Sequence, residues 1–150
     1  MSDDDINTST NQALRDYMDG LPGPASYKDE HHVFQYVNSA YGKLVGLPQH
    51  LDIVGRTAFD LPCGAAAYAE AFQEQDRQVM RSGKSYKVLD THPFAGGEMR
   101  VLVNRKIPWF DEKKNVVGTL LKSIDITNAY IVGISTQLAL YTGNIRIALR

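Results

Sequence analysis

Cysteine is almost absent from this sequence. Its 150 residues contain a single one, Cys63, and one thiol can form neither an intramolecular disulfide nor a cysteine-based zinc site. Two interpretations of Cys63 stay open. It is either a small apolar filler at the start of a helix or, if it is exposed and its pKa is low, a redox-sensing thiol.

Long apolar runs and an excess of one charge are also missing. No apolar run approaches the roughly 20 residues that span a bilayer, and residues 1–10 are acidic and polar, unlike a secretory signal. The 16 Lys and Arg residues are balanced by 17 Asp and Glu residues, which leaves no basic surplus for nucleic acid or an anionic membrane. We therefore expect a cytoplasmic domain that contacts neither of them directly.

The sequence lacks the common catalytic and metal-binding motifs. There is no Gly-x-Ser-x-Gly nucleophile elbow and no Gly-x-x-x-x-Gly-Lys phosphate loop. His31 and His32 fall on opposite faces of a predicted strand, and His50 and His92 fall in predicted loops, so no metal-ligand spacing is present. Asp76 is the one acid placed near a potential cavity, and it has no evident partner. We expect a protein that is not an enzyme and that binds no metal.

The patterns that are present indicate a single α+β domain. A hydrophobic fraction of 43% suits one buried core at this length. Runs of β-branched and aromatic residues predict strands, and apolar residues at helical spacing predict helices. In chain order we predict a short helix capped by Thr8, Ser9 or Thr10 and ended by Gly20, strands over 25–28 and 31–37, a short helix capped by Asn38, a long helix over 65–82 ended by Gly83, and strands over 84–91, 99–107 and 116–125.

Both faces of the predicted sheet need a cover. Val101, Leu102 and Val103 are consecutive, so this strand presents apolar side chains on both sides. The long helix covers one face, and either the N-terminal helix or a partner subunit covers the other. After Asn128 the apolar residues follow a heptad-like spacing. We therefore predict a homodimer with contacts from Leu14, Tyr17, Met18, Ile131, Ile134 and Leu138.

Several local sequences, in this order, resemble the PAS family. They are Tyr27-Lys28-Asp29, residues 34–38, Leu44-Val45-Gly46, residues 53–57, Lys106-Ile107-Pro108, Val116-Val117-Gly118 and the closing Asp125-Ile126-Thr127. Their order and spacing over about residues 21–128 carry the resemblance. It implies the PAS fold, a five-stranded antiparallel sheet with helices on one face, plus N-terminal and C-terminal flanking helices.

The resemblance also implies a function in signalling. Residues 1–20 would form a tail and flanking helix, 21–128 the PAS sensor, and 129–150 a signalling or linker helix. A small molecule or a partner would bind, and Asp125, Ile126 and Thr127 would transmit the change to an output domain outside this chain. That domain would be a histidine kinase of a two-component system or a LuxR-type helix-turn-helix transcription regulator of a bacterium. The alternative is a ligand-free dimerisation or protein-interaction module.

The resemblance leaves the cofactor unknown and disfavours two possibilities. Oxygen-sensing members of the family bind haem through a histidine on the long helix, and residues 65–82 contain none. Light-sensing flavin members carry a reactive cysteine where this sequence has Ala58. Cysteinyl–flavin photochemistry at that position is therefore excluded, whereas non-covalent flavin stays open.

The family implies a ligand cavity between the long helix and the sheet. If strand alternation places Leu102 inward, the other even-numbered residues of its strand also point inward. The predicted ligand-binding residues are Phe59, Tyr68, Phe72, Gln75 and Val79 from the helical side, and Leu102, Asn104 and Ser123 from the sheet. Asn104 and Ser123 are the polar groups expected to orient a ligand. The alternative for Phe72 and Val79 is simple core filling.

Overall fold

The computed structural model describes residues 12–129 and residue 133. Within the described part, residues 12–19 form helix α1. The elements that follow are β1 Ala25–Asp29, β2 Phe34–Val37, α2 Ser39–Val45, α3 Ala69–Ser82, β3 Tyr86–Pro93, β4 Met99–Phe110 and β5 Val116–Asp125. Three short 3-10 segments (His50–Ile53, Ala58–Asp60 and Gly64–Tyr68) connect α2 to α3, and a fourth (Ala95–Gly97) lies between β3 and β4. None of the described helices has the length and apolarity to cross a membrane.

The five strands form one antiparallel sheet in the order β2-β1-β5-β4-β3. The first and last strands of the chain are therefore neighbours, with Ser26 opposite Leu121. Gly118 permits their close approach, since a Cβ there would collide with the carbonyl oxygen of Lys28. The predicted α+β architecture is confirmed.

Helix α2, the 3-10 segments and α3 cover one face of the sheet. A buried core on this side contains Phe34, Val37, Val45, Ile53, Ala65 and Ala69. The Asn38 side chain accepts a hydrogen bond from the Tyr41 backbone N–H and caps α2, and Gly83 ends α3 at a φ of 66°. Both predicted helix signals are confirmed. The α-helical part of the long helix begins at Ala69, later than predicted, because the chain first makes a 3-10 segment in which Gly64 lies against the Pro93 ring.

Helix α1 covers part of the opposite face. Leu14 and Met18 are buried there against Ala25, Tyr27 and Leu120. The N-terminal helix is thus the second cover of the sheet. Leu14 and Met18 make within one subunit the apolar contacts that the sequence analysis assigned to a dimer, because they face their own sheet. Tyr17 is exposed, and Ile131, Ile134 and Leu138 lie outside the described residues.

Two of the strand boundaries that differ from the prediction change the positions of histidines. Strand β3 extends to Pro93, so His92 is a strand residue and not a loop residue. Strand β2 begins at Phe34, so His31 and His32 lie in the turn after β1 and not on a strand. His32 adopts a φ of 67°, a conformation that a turn tolerates and a strand does not.

Candidate functional site

A small cavity lies between α3 and the sheet. Its volume is about 40 Å³, which holds about three water molecules. Seven of the 14 wall residues are apolar: Leu44, Leu61, Ala65, Phe72, Phe94, Leu102 and Leu121. The other seven are polar or charged: Lys28, Tyr41, Asp90, His92, Asn104, Lys106 and Ser123. A cavity that combines apolar surface with convergent polar groups is typical of a site for a small molecule.

Asp76 joins the two lysines of the cavity wall. Its Oδ2 accepts a hydrogen bond from Lys28 Nζ at 3.0 Å, and its Oδ1 accepts one from Lys106 Nζ at 2.9 Å. Lys106 Nζ also donates to the Phe72 carbonyl oxygen at 3.2 Å. An ammonium group has three donors, so within the described residues one N–H of Lys106 has no protein acceptor.

The charges of this cluster shift its pKa values. Burial works to raise the pKa of the Asp76 carboxyl, but Lys28 and Lys106 together outweigh it and hold that pKa below its ordinary value. Burial lowers the pKa of Lys106, against the attraction of Asp76. Two neighbouring ammonium groups stabilise the ionised form of a buried carboxylate. Asp76 is therefore a structural counter-charge and a poor general acid.

A second polar chain crosses three strands at the cavity. Ser123 Oγ donates to Asn104 Oδ1 at 2.6 Å, and Asn104 Nδ2 donates to Asp90 Oδ2 at 2.7 Å. Asn104 lies directly opposite Ser123 in the β4–β5 register. These bonds fix the Asn104 amide, with its oxygen toward β5 and its nitrogen toward β3.

His92 stands in an aromatic surrounding on the cavity wall. Its ring centroid lies 4.4 Å from that of Tyr68, 5.0 Å from that of Phe72 and 6.2 Å from that of Phe94. Both of its ring nitrogens are buried without a hydrogen-bond partner, since Nε2 is 3.8 Å from Asp90 Oδ1. Burial lowers the pKa of His92, against the opposing pull of Asp90. The ring is thus a neutral group with unused polar atoms beside the cavity.

The structure divides the predicted ligand-binding residues into two groups. Phe72, Leu102, Asn104 and Ser123 lie on the cavity wall. The other four, Phe59, Tyr68, Gln75 and Val79, do not line it. Phe59 and Tyr68 are exposed, whereas Val79 is buried in the protein interior. Tyr68 reaches the site indirectly, through its contact with His92.

Sequence reasoning missed Lys28, Asp90, His92 and Lys106, and it left Asp76 without a partner. Strand alternation was a usable signal for one of them. Lys106 has the same parity as Leu102 and Asn104, so the argument that places those residues inward places Lys106 inward too. The others depend on strand boundaries or on which strands become neighbours. Among the described residues, no group of three His, Cys, Asp or Glu side chains has the geometry of a metal site.

Comparison with known proteins decides the family. A family model described as the PAS fold matches residues 18–131. The chain belongs to the PAS family. It is 40% identical to VqmA of Vibrio cholerae, described as a LuxR-type receptor, over 79% of this chain and 52% of that chain, with a TM-score of 0.72.

The chain is also similar to two further proteins. A phage VqmA in complex with DPO is 30% identical over 94% of this chain and 63% of that chain, with a TM-score of 0.77. An uncharacterized protein of Sinorhizobium fredii, y4lL, is 36% identical over 90 residues, which are 59% of this chain and 10% of that protein. The chain thus spans half to three-fifths of the two VqmA chains and a small part of y4lL.

The end of the PAS domain is fixed by a compact set of hydrogen bonds. Asp125 Oδ1 accepts from the Thr127 backbone N–H at 2.9 Å and also from the Thr127 hydroxyl. Thr127 Oγ1 accepts from the Val101 backbone N–H at 2.9 Å, and the Ile126 N–H donates to the Val101 carbonyl oxygen at 2.9 Å. These contacts tie the segment after β5 to the start of β4.

Proposed function

We propose that this PAS domain is the signal-input domain of a bacterial transcription regulator and that it binds a small molecule in the cavity between α3 and the sheet. The observation that carries the proposal is the set of buried polar atoms that the protein leaves without partners. Among them, at the cavity wall, are one N–H of Lys106 and both ring nitrogens of His92. Unsatisfied buried polar groups cost stability unless a ligand or water satisfies them.

The wall chemistry favours a small, uncharged ligand. Two lysines and two carboxylates, Asp76 and Asp90, lie at the site, so it has no surplus charge for an ion to neutralise. The free N–H of Lys106 can donate a hydrogen bond to an acceptor atom of the ligand. Phe72, Phe94 and His92 offer flat rings on which a planar ligand would stack. The similarity to a VqmA that forms a complex with DPO supports ligand binding by this domain and makes DPO the first probe.

A ligand larger than a few waters needs the cavity to widen, and one part of its wall is suited to move. Leu44 and Phe94 line the cavity and also a surface groove of about 310 Å³. Phe94 precedes the Ala95–Gly97 segment, whose two glycines both have positive φ. Displacement of these two side chains joins the groove to the cavity, and we infer that ligands enter there.

The same groove leads to the end of the domain. Glu98, Arg100 and Asp125 line its far side, and Arg100 Nη1 lies 3.6 Å from Asp125 Oδ2. We infer that ligand-driven movement of Phe94 alters the Arg100–Asp125 contact and thereby the direction of the chain after Thr127. We infer that the protein is a homodimer and that the altered direction of the chain after Thr127 is transmitted to an output domain. We infer that the site binds a ligand without catalysing a reaction, and the pairing of Asp76 with two lysines supports this, because it makes Asp76 a poor general acid.

Titration calorimetry with DPO tests the proposal. We expect the wild-type chain to bind DPO, and we expect Lys106→Met to weaken the affinity by about tenfold or more, since a hydrogen bond to a charged group contributes about 1.5–3 kcal/mol. Ser123→Ala is a second variant that spares the buried ion pairs. Lys113→Met, in the exposed β4–β5 turn, is the matched control and should bind like wild type. Equal affinity in all four proteins would place the ligand elsewhere, and no binding in any would favour the ligand-free interaction module.

A further inference from the structure

The outer face of the sheet, opposite the cavity, is only partly covered. Helix α1 lies over β1 and β5 through Leu14 and Met18. Toward β3 and β4 the face is open, and Leu89 and Ile124 are 51% and 64% exposed. A groove of about 380 Å³ runs here between the Leu21–Pro24 turn and the strands.

A row of three basic side chains crosses this open face. Lys87 lies opposite Arg105, and Arg105 lies opposite Lys122. Like charges directly opposite each other on neighbouring strands are destabilising. Within residues 12–129, no carboxylate forms an ion pair with any of the three. Lys122 Nζ instead donates to the Tyr17 hydroxyl of α1 at 2.7 Å.

An apolar row runs beside the basic one. Leu89 lies opposite Val103, and Val103 lies opposite Ile124. The two rows are two residues apart along each strand, which is about 7 Å. A segment that fits both rows needs carboxylates next to an apolar side chain. We call the two rows together the outer-face surface.

We propose that residues 3–6 of this chain, Asp3-Asp4-Asp5-Ile6, dock on the outer-face surface. The aspartates neutralise the row of Lys87, Arg105 and Lys122, and Ile6 contacts the neighbouring apolar row. Residues 1–11 contain three Asp and no Lys or Arg, whereas residues 126–150 contain two Arg and no Asp or Glu. Charge therefore selects the segment before α1 and not the one after β5.

The covalent distance permits this contact. The Tyr17–Lys122 hydrogen bond places α1 directly beside the basic row, and Tyr17 is five residues, or about 7.5 Å of helix, beyond Gln12. Asp5 precedes Gln12 by seven positions, and an extended chain of that length spans up to about 25 Å. The segment can return along α1 and still reach all three basic residues, and being tethered it acts at a high effective concentration. Docking closes the open face of the sheet and removes its like-charge repulsion.

Zero-length cross-linking of the full chain tests the proposal. A carbodiimide joins a carboxylate to a lysine amine only when the two are in contact, so we expect cross-links from Asp3, Asp4 or Asp5 to Lys87 or Lys122. In an equal mixture of ¹⁴N-labelled and ¹⁵N-labelled protein, these cross-links should pair peptides of the same label. Mixed-label pairs would show that a second copy supplies the acids and would overturn the docking within one chain. Absence of these cross-links would overturn the proposal altogether.

Arg105→Gln separates specific docking from chance encounters. Arginine forms no carbodiimide cross-link, so this variant alters the surface without removing a reactive amine. We expect the yield to Lys87 and Lys122 to fall at least threefold, and 0.5 M NaCl to reduce it similarly through screening. Arg81→Gln, on the exposed side of α3, is the matched control and should leave the yield unchanged. An equal yield in both variants contradicts docking on the basic row.

Discussion

Asp76 and Lys106 are 30 residues apart in the chain, yet the Asp76 carboxylate and the Lys106 ammonium meet at 2.9 Å in the protein interior. The side chains of Asp76 and Lys106 are 3% and 5% exposed. The contact joins α3 to the inner face of β4, the two elements that enclose the cavity. Lys28 from β1 completes the pair on its other side, so one carboxylate links three elements around the proposed ligand site.

Asp76→Asn tests how much the ion pairs of Asp76 contribute to the stability of the domain. The change leaves two buried ammonium groups without a counter-charge, and removing one partner of a buried ion pair costs about 3–5 kcal/mol. We expect a loss of that order in the free energy of unfolding, measured by urea denaturation. Glu74→Gln, on the exposed side of the same helix, is the control and should change stability by less than about 1 kcal/mol. Similar losses in both variants would show that the buried cluster has no special role.

The pH dependence of stability should follow His92 and His32. Burial lowers the pKa of each below the ordinary value of 6.5, so the folded state binds fewer protons than the unfolded state in mild acid. Their contribution is complete above the unfolded pKa and is lost as the pH falls below about 6.5. We expect the free energy of unfolding to decrease from pH 7.5 to pH 5. His92→Gln should reduce that slope, whereas the exposed His31→Gln should not, and a slope unchanged by His92→Gln would contradict the neutral buried ring.

Helix α1 should stabilise the domain through one face only. Met18 is 0% exposed and packs against the outer face of the sheet, so Met18→Ala should cost about 2–5 kcal/mol of unfolding free energy. Tyr17→Ala changes the neighbouring exposed position and should cost under about 1 kcal/mol. Thermal and urea denaturation of both variants measure this difference. Equal effects would mean that α1 does not pack as described.

Thr127 should control transmission without controlling ligand affinity. Thr127→Val removes the hydroxyl that bonds the Val101 N–H and Asp125, and each of these two hydrogen bonds contributes about 1 kcal/mol. Hydrogen exchange of residues 126–129 should therefore accelerate at least about fivefold, with DPO affinity within twofold of wild type. Thr91→Val, an exposed threonine on β3, should alter neither. A large loss of affinity in Thr127→Val would mean that Thr127 supports the cavity itself.

The order of the elements could be predicted because their signals are local. Periodicity, the Asn38 cap and the Gly83 stop each depend on a few neighbouring residues. Half of the predicted ligand-binding residues lie on the cavity wall for the same reason, since alternation along β4 places Leu102 and Asn104 on one face. Of the five residues predicted from the helical side, only Phe72 lies on the cavity wall. Tyr68 is exposed at the end of a 3-10 turn that replaces the first part of the predicted long helix, and Phe59 is exposed in a separate 3-10 turn.

The polar half of the site could not be predicted from local patterns. Lysines are rarely buried unless paired, and the partner of Lys28 and Lys106 lies 48 and 30 residues away. Their burial follows from β1 lying next to β5, which no short motif shows. The sequence predicts a loop at His92, because a proline such as Pro93 ordinarily ends a strand. Strand β3 is an edge strand, however, and an edge accepts a proline without losing a ladder hydrogen bond.

Native mass spectrometry of the wild-type chain and Ala65→Leu tests the central claim most directly. Ala65 is fully buried on the cavity wall, and a leucine there fills the cavity at an overpacking cost of about 1–3 kcal/mol. Both proteins are examined as purified and after addition of DPO. We expect a defined mass of one small molecule per wild-type subunit and none on the folded Ala65→Leu variant. The same added mass on both proteins, or none on either, would contradict a ligand site between α3 and the sheet.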